Sequence, residues 1–453
     1  MAESGHVTVV GGGLAGSEAA WQLARRGVAV TLAEMRPSVT GPAHHTARLA
    51  ELVCSNSLRS DDPSTAAGRL KRELEALGSI VLACARATSI PAGAALAVDR
   101  DRFAALVTRV LESHPRIEIV REEITDLPAG DTIVATGPLT SDALAASLSS
   151  VVGDRRLSFF DSAAPIVDAS TIDRTVVFAA SRYGKGGGAD YLNAPMDRAE
   201  YDRFREALLS AERVRAKDFE ARELFQACQP VEEIARTGPD SLRFGAMKPV
   251  GLTDPLTGAR PYAVVQLRSE DRHGAAYNLV GFQTNLTFPE QRRVFRLIPG
   301  LERAEFATYG VLHRNTFVDA PRLLAPDMSL RAHPRIALAG QLTGTEGYLE
   351  AVAGGLLAAL GTYARLESLE PVCLPPETVF GALVAHATDP ATGPYQPMHV
   401  NFGILPPLDP PVRGKSARYA AHAERAGSAL SAWIESRADL AIEPDSAREA
   451  VDA

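Results

Sequence analysis

The sequence predicts an α/β fold, in which a doubly wound, Rossmann-like domain is built from both chain ends and an α+β domain is inserted between them. Three observations lead to this prediction. A strand, a glycine turn, a helix, a second strand and an acidic residue follow one another within residues 6–34. A buried strand, glycines and a long apolar helix return at residues 335–364. The pattern between them changes to strands with one clear helix, so we divide the chain into residues 1–154, 155–330 and 331–453.

The amino-terminal elements carry the clearest pattern. His6–Val10 is a β-branched run that ends in glycines, as a buried parallel strand does. Leu14–Arg26 is predicted to be a helix, and Gly27 ends it. Val28–Ala33 is a second strand that is followed directly by Glu34. Together these segments predict one βαβ unit of about thirty residues.

The later elements follow from the same reasoning about periodicity, caps and breakers. The residues after 364 are predicted to be mostly helical, with a proline-rich interruption. We predict helices at Ala66–Leu77, Arg100–Glu112 with Asp99 as its N-cap, Met196–Ala211 and Gly347–Ala364, and strands at Ile117–Val120, Thr132–Ala135, Tyr262–Leu267, Tyr277–Phe282 and Arg335–Ala339.

Composition bounds the class of protein. Of 453 residues, 46% are apolar and 23% are charged, which is typical of soluble globular proteins. The net charge of −8 argues against a basic nucleic-acid coat protein, although it leaves room for a local basic patch. The four cysteines are scattered and form no CxxC pair, so we expect no disulfide scaffold. No cluster of His, Cys, Asp and Glu has zinc spacing, so we expect no metal site. With no secretory signal or membrane span predicted, we expect a cytoplasmic protein without membrane contact.

Residues 11–16 carry the GxGxxG pattern in the turn between the first strand and helix. Gly11 allows the tight turn, Gly13 lets backbone N–H groups approach a pyrophosphate, and Gly16 lets helix and strand pack closely. Glu34 lies where a carboxylate accepts hydrogen bonds from ribose hydroxyls. These features predict dinucleotide binding; the alternative is a glycine-rich turn without a ligand. The predicted contacts are Gly11, Gly12, Gly13, Leu14, Ala15, Gly16 and Glu34.

Two later strands that end in glycine favour FAD over NAD. They are Thr132–Gly137 and Ile336–Gly340, and the second leads into a helix start at residues 341–348. This layout resembles the two-motif flavoprotein pattern, in which a helix directs its positive end at the flavin ring and stabilises the anionic reduced form. The further predicted cofactor contacts are Gly137, Gly340, Gln341, Gly344, Gly347 and Tyr348.

Two cysteines are candidates for chemistry. Cys54 lies among small hydrogen-bonding residues in ELVCSNSL, with basic residues a few positions earlier that favour a thiolate. Cys228 lies at a boundary between a helix and a loop, just before Pro230. For each, a reactive thiol and a small packed side chain remain alternative interpretations. Cys84 and Cys373 have apolar neighbours, and we predict that both are packed.

The middle of the chain contains candidate contacts for a phosphate-bearing or planar ligand. Residues 182–193 form a glycine-rich loop that carries Arg182, Lys185 and two tyrosines. Such a loop is suited to phosphates and to stacking on a base, and the alternative is a solvated surface loop. Lys248 lies in FGAMKPVG, and His313 lies in the polar and aromatic segment YGVLHRNT.

These segments together resemble the folate- and FAD-dependent tRNA (uracil-5-)-methyltransferases. The resemblance runs from residue 6 to about residue 410. A longer flavoenzyme family that makes carboxymethylaminomethyl-uridine shares GGGxAG and GTEGY, but ELVCSNSL and FGAMKPVGL fit the methyltransferases better. The motifs that carry the resemblance are GGGLAGSEAAWQLARRG, LAEMRP, ELVCSNSL, VDRDRF, ATGPLTS, FGAMKPVGL, YGVLHRNT and GQLTGTEGYLEAVAGG.

The resemblance implies a tRNA-modifying enzyme that makes 5-methyluridine at position 54 of the T loop. Methylenetetrahydrofolate is the implied carbon donor, and FAD with NADPH or NADH supplies the reduction. Cys228 is implied as the nucleophile at uracil C6 and Cys54 as a thiol near the flavin, although the two roles are interchangeable. Tyr348 and His313 are implied as folate contacts, and the tRNA contacts are Arg182, Lys185 and Lys248.

Two rival hypotheses remain at this point. One is an NAD(P)H-dependent flavin oxidoreductase that acts on a small metabolite, for which the glycine motifs alone suffice. The other is a flavin-bearing RNA-binding protein. Neither depends on Cys54 or Cys228, so replacing these cysteines discriminates between the hypotheses. For the methyltransferase we expect the T-arm of tRNA as partner and a monomer or weak dimer.

Overall fold

The computed structural model describes residues 5–41, 44–153, 156–162, 164–214, 229–310, 312–392 and 395–453, with the backbone alone at 156–162 and 312–316. The amino-terminal part contains β1 (His6–Val10), α1 (Leu14–Ala24), β2 (Ala29–Ala33), β3 (Ser57–Ser60), α2 (Ala66–Ala76), α3 (Ile80–Ala87), β4 (Ser89–Ile90), β5 (Ala95–Val98), α4 (Arg100–Ser113), β6 (Ile117–Val120), β7 (Asp131–Val134) and α5 (Asp142–Val152). The middle part contains β8 (Arg156–Ser162), β9 (Ile166–Asp168), β10 (Phe178–Ala179), β11 (Tyr191–Met196), α6 (Arg198–Ser210), α7 (Val231–Arg236), α8 (Ser241–Phe244), β12 (Ala263–Ser269), β13 (Ala276–Leu279), α9 (Phe288–Phe295), β14 (Phe306–Thr308) and β15 (Leu312–Val318). The carboxyl-terminal part contains α10 (Ala320–Leu323), β16 (Ser329–Leu330), β17 (His333–Leu338), α11 (Tyr348–Leu366), α12 (Val379–Thr388), α13 (Lys415–Ser436) and α14 (Ser446–Asp452).

A six-stranded sheet joins the two ends of the chain. Its order is β16-β17-β7-β1-β2-β6, and β17, β7, β1, β2 and β6 run parallel. The chain moves outward from β1 to β2 and β6 on one side and to β7 and β17 on the other. The carboxyl end of β1 is therefore the switch point at which doubly wound sheets bind ligands. This arrangement confirms the predicted α/β fold.

Helices α1 and α11 cross in close contact beside this sheet. A methyl group on Gly355 of α11 would collide with the carbonyl oxygen of Ala15, so glycine is required for this approach. Almost all of α11 is buried, because its alanines, leucines and glycines pack into the main core. The close crossing places the amino-terminal ends of α1 and α11 at the same edge of the sheet.

The inserted part is built on a second, antiparallel sheet with the order β10-β11-β12-β13-β9-β14. Its central strand β12 has two distinct faces. Val265 and Leu267 pack into a core with α6 and α9, whereas Gln266 and Arg268 point to the opposite face. The antiparallel pair β8–β15 connects the inserted part to the first sheet. β8 begins one residue after the predicted boundary at 155, and β15 ends at Val318, before the predicted boundary at 330. The division into residues 1–154, 155–330 and 331–453 stays a proposal.

Several element boundaries differ from the sequence predictions. The helix predicted from Met196 begins at Arg198, because Met196 ends β11 and Asp197 forms a capping box with Glu200. Helix α1 ends two residues before Arg26, and β13 ends at Leu279 rather than Phe282. The sequence analysis missed β3, β4, β5, α3 and α5. Among the helices that the structure describes, none has both the length and the apolar character to cross a bilayer.

Candidate active site

A cleft of about 980 Å³, partly open to solvent, lies at the switch point of the parallel sheet. Its walls come from the turn after β1, the ends of β2 and β7, and the start of α11. Of the predicted cofactor contacts, the cleft brings together Gly11, Gly13, Leu14, Ala15, Glu34, Gly137, Gly340, Gln341 and Tyr348.

The glycine turn fits a dinucleotide phosphate. Gly11 has φ +101°, and a methyl group there would lie 2.7 Å from the carbonyl oxygen of Ala135. A methyl group on Gly16 would collide with the carbonyl oxygen of Gly11, so α1 packs directly on the turn. Around Gly13 there is open space, and no side chain caps the start of α1. The first N–H groups of α1 are therefore available to an anionic group.

Glu34 is fixed within the protein by contacts that the sequence analysis did not predict. It accepts hydrogen bonds from the Gly12 N–H at 2.9 Å and from the Arg36 side chain at 2.8 and 3.1 Å. Burial raises the pKa of Glu34, but the hydrogen bonds and charge of Arg36 and the Gly12 N–H together outweigh it, so the pKa lies below its ordinary value. Arg36 also forms an ion pair with Glu51 at 2.8 Å. The feature of the sequence that could have predicted this network is Arg36, which follows Glu34 by two positions in LAEMRP.

Three glycines shape the segment that leads into α11, and Gly340 among them lines the cleft. Gly340 has φ +72° and approaches Ala15 so closely that a methyl group would lie 2.9 Å from the Ala15 Cβ atom. Gly344 has φ +77° and lies against the ring of Tyr395. Gly347 has φ +117° and is the N-cap of α11. The left-handed turn at these positions, which favours glycine, directs the start of α11 toward the glycine turn after β1.

Cys54 lies beside the first residue of α11. We call residues 51–56 the Cys54 loop. The Tyr348 hydroxyl accepts hydrogen bonds from the backbone N–H groups of Cys54 and Ser55 at 2.9 and 3.1 Å. The same hydroxyl lies 3.1 Å from the Cys54 sulfur. Two N–H bonds occupy both oxygen lone pairs, so the hydroxyl proton is directed at the sulfur. Burial raises the pKa of Tyr348 well above its ordinary value, which keeps this proton in place.

The inserted sheet holds the Cys54 loop from a second direction. Arg268 of β12 donates hydrogen bonds to the Asn56 side chain and to the Ser55 hydroxyl, both at 2.7 Å. Asn56 is completely buried and donates to the carbonyl oxygens of Val98 and Ser269 at 3.0 and 2.9 Å. Arg268 also interacts electrostatically with the Cys54 thiol. The sequence analysis missed Arg268. The feature that could have indicated it is the alternation of Gln266 and Arg268 with apolar residues at the end of a predicted strand.

A third contact comes from α4. Arg100, its first residue, donates a hydrogen bond to the carbonyl oxygen of Leu52 at 2.6 Å and another to Glu270 at 2.8 Å. Arg100 likewise interacts electrostatically with Cys54. Two cations therefore act on the thiol, and both favour its thiolate form.

The other predicted site residues have different positions. Arg182 is partly buried and donates to Gln266 and to the carbonyl oxygen of Val250 at 2.8 and 2.9 Å. Lys185 and Lys248 are exposed. His313 lies in β15, opposite Asp161. Cys228 lies outside the described residues.

The two remaining cysteines differ from each other. Cys84 is packed as predicted, and burial raises its pKa to about 12. Cys373 is exposed, so the prediction that it is packed is wrong. Its apolar neighbour Val372 occupies the core instead. Within the described part of the chain, His, Cys, Asp and Glu side chains form no group of three or more that could hold a metal ion.

Comparison with known proteins identifies the family. The model of the family described as Glucose inhibited division protein A matches residues 6–370. Relatives with the name methylenetetrahydrofolate--tRNA-(uracil-5-)-methyltransferase TrmFO are similar to this chain over nearly its full length. The relative from Geobacter sulfurreducens is 55% identical over 432 residues, 95% of this chain and 99% of its own length. The relative from Thermosynechococcus vestitus is 55% identical over 94% of this chain and 94% of its own length. The relative from Anaeromyxobacter dehalogenans (strain 2CP-C) is 55% identical over 96% of this chain and 98% of its own length.

The chain belongs to the TrmFO family. A solved structure of Aquifex aeolicus GidA resembles this TrmFO-family chain with a TM-score of 0.72 at 17% identity. The alignment covers 99% of this chain and 76% of the GidA chain. At that identity the likeness supports the shared fold alone. Membership of the TrmFO family confirms the resemblance on which the sequence analysis relied.

Proposed function

We propose that this chain methylates uracil C5 at position 54 in the T loop of tRNA, with methylenetetrahydrofolate as the carbon donor. FAD, with NADPH or NADH as reductant, serves as its redox cofactor. Family membership, together with the Cys54 thiol beside Tyr348, a residue that lines the cleft of the parallel sheet, carries this proposal. An oxidoreductase of a small metabolite is not favoured, because it has no use for the contacts that hold this thiol.

The cleft suits FAD in its shape and in its backbone donors. We expect the pyrophosphate at the start of α1, near Gly13, and the flavin ring near Tyr348 and Gln341. FAD, when bound, supplies the redox chemistry that reduces the transferred carbon to a methyl group. Glu34 already accepts bonds from Gly12 and Arg36, so any ribose contact shares a carboxylate that these partners orient.

Two thiols share the work on the pyrimidine. Uracil C5 becomes nucleophilic only after a nucleophile adds at C6, and a thiolate is suited to that addition. We assign the addition to Cys228 and proton handling near the flavin to Cys54, and an exchange of these two roles is the alternative. The target uridine has to leave the T-loop stack to reach either thiol.

Folate and tRNA approach from the side of the inserted sheet. We propose that the Tyr348 ring and His313 hold the pterin. Lys185 and Lys248 are exposed and contact tRNA phosphates. Arg182 uses Nε and Nη1 to hold its own loop, which leaves Nη2 for the tRNA. We further propose a monomer or weak dimer in the cytoplasm, a reducing compartment that suits a protein whose proposed chemistry needs reduced cysteines.

The decisive experiment follows a labelled carbon. The protein is incubated with unmodified tRNA, NADPH and methylenetetrahydrofolate labelled in the methylene group, and the tRNA is digested to nucleosides. We expect label in 5-methyluridine from the T loop, and none when labelled S-adenosylmethionine replaces the folate. Label in another nucleoside, or no label with wild-type protein that holds FAD, would refute the proposal.

Cysteine variants test the assignment of the thiols. We expect Cys228→Ala and Cys54→Ala to lose methyl transfer while keeping bound flavin. Cys373→Ala is the matched control, because this exposed cysteine lies outside the cleft, and it should retain full activity. Full activity of Cys228→Ala would refute its role as the nucleophile.

A further inference from the structure

Tyr183 is an exposed aromatic residue in an unfavourable backbone conformation. Its side chain is 69% exposed, and its φ of 57° and ψ of 25° lie in the left-handed region. A residue with a Cβ atom adopts this region only where the surrounding structure holds it there. Burial does not account for this conformation, because most of the side chain faces solvent.

One face of the Tyr183 ring lies on the backbone at Gly251. A methyl group on Gly251 would be 3.0 Å from Cε2 and Cζ and 3.1 Å from Cδ1. Cε2 and Cδ1 are on opposite sides of the ring. A point about equally distant from these two atoms and from Cζ lies above the face of the ring and not at its edge. The Tyr183 N–H also donates to the carbonyl oxygen of Gly251 at 3.0 Å. The ring is thus held flat, with its outer face open to solvent.

The loop around Tyr183 is anchored to the sheet that holds the Cys54 loop. Arg182 binds Gln266 at 2.8 Å, and Gln266 is two residues from Arg268 on the same face of β12. Arg268 contacts Ser55 directly. Asp190, near the end of the same loop, accepts from the Gly93 N–H at 2.6 Å. The ring therefore has a fixed position on the face of the inserted sheet that carries the candidate active site.

We propose that Tyr183 is a stacking platform for an unpaired nucleobase of the tRNA. A flat aromatic ring with one free face binds any base through its π-face. Exposed Lys185, two residues further on, supplies a cation for a neighbouring phosphate. The proposal rests on the proposed function for the identity of the RNA. A protein partner or a second copy of the chain is the alternative occupant, and the test below includes both.

The test measures binding of unmodified tRNA to the FAD-loaded protein at several salt concentrations. We expect Tyr183→Ala to weaken binding roughly 5- to 150-fold, the effect of losing one stacked base. Tyr183→Phe should bind like wild type, because it keeps the ring. Lys185→Ala should lower the dependence of log Kd on log salt by about one phosphate contact, whereas Tyr183→Ala should leave that slope unchanged. Leu297→Ala is the control: this 44%-exposed side chain follows α9, on the opposite face of the sheet.

Bound-flavin absorbance and circular dichroism establish that each variant is folded. The proposal is overturned if Tyr183→Ala binds tRNA within twofold of wild type. It is also overturned if Tyr183→Ala keeps tRNA binding and instead changes the oligomeric state of the protein or loses a protein partner. If wild-type protein binds tRNA through Tyr183 but transfers no methyl group, the proposed function fails and this inference stands. Wild-type protein that binds no tRNA overturns both.

Discussion

Replacing Tyr348 by Phe tests the arrangement on which the candidate active site depends. The substitution keeps the ring and removes one oxygen atom. That oxygen accepts hydrogen bonds from the N–H groups of Cys54 and Ser55 and lies 3.1 Å from the Cys54 sulfur. The change therefore separates the effect of the hydroxyl on the thiol from any role of the ring in holding folate.

The size of the effect follows from these three contacts. Two backbone donors lose their acceptor, and each lost bond costs about 1 kcal/mol, because Cys54 is only partly buried and water replaces the hydroxyl in part. We expect a loss of about 2 kcal/mol in the free energy of unfolding. A hydrogen bond to a charged group contributes about 1.5–3 kcal/mol, so the ratio of thiolate to thiol at Cys54 should fall roughly 10- to 100-fold, and the thiolate fraction falls by the same factor wherever the pH lies below the pKa of the thiol.

The assay is the rate of alkylation by iodoacetamide, measured by mass spectrometry on the peptide that contains Cys54. Alkylation reports the thiolate, so its rate at neutral pH should fall in proportion. Exposed Cys373 provides an internal reference in the same sample, and buried Cys84 should remain unmodified in both proteins. If Cys54 in Tyr348→Phe reacts at the wild-type rate, the Tyr348 hydroxyl does not donate to the sulfur and our reading of the site is wrong.

Three further substitutions test other parts of the structure. Gly355→Leu should lower the melting temperature and abolish FAD binding, seen as a colourless preparation, because a side chain there collides with α1. Arg268→Lys keeps the charge but not the two-pronged contact, so Cys54 alkylation should slow while bound flavin is retained. Burial raises the pKa of Glu73 to about 7, so stability falls as pH rises from about 4.5 to 7, by about 3 kcal/mol. In Glu73→Gln, thermal melts at pH 5 and pH 8 should differ less than in wild type, and an unchanged difference would contradict the raised pKa.

The local parts of the fold were predictable from the sequence. The unit β1–α1–β2 has its strands, glycines and helix within about thirty consecutive residues, so local patterns determine it. The same holds for the N-cap at Asp99, which accepts from the Arg102 N–H as its position predicts. Short strands such as β4 escaped prediction, because two residues carry no measurable periodicity.

The geometry of the candidate site was predictable only in outline. The pairing of Cys54 with Tyr348 joins residues 294 positions apart, and that of Asn56 with Arg268 joins residues 212 apart. Sequence patterns single out Cys54 and Tyr348 as candidates. Which residue pairs with which depends on how the two sheets meet in the folded protein. Glu34 illustrates the limit, since its position at the end of β2 was predictable and its contacts with Gly12 and Arg36 were not.

The position of the Cys54 sulfur depends on parts of the chain that meet only in the folded protein. Tyr348 acts from the carboxyl-terminal part, Arg268 from the inserted sheet and Arg100 from the amino-terminal part. The glycine turn that suits a dinucleotide lies in the first sheet and needs none of these contacts. A displacement of β12 would therefore change the environment of the thiol without changing the phosphate site. Because the loop of Tyr183 is also fixed to β12, an RNA that binds there acts on the same strand that orients the Cys54 loop.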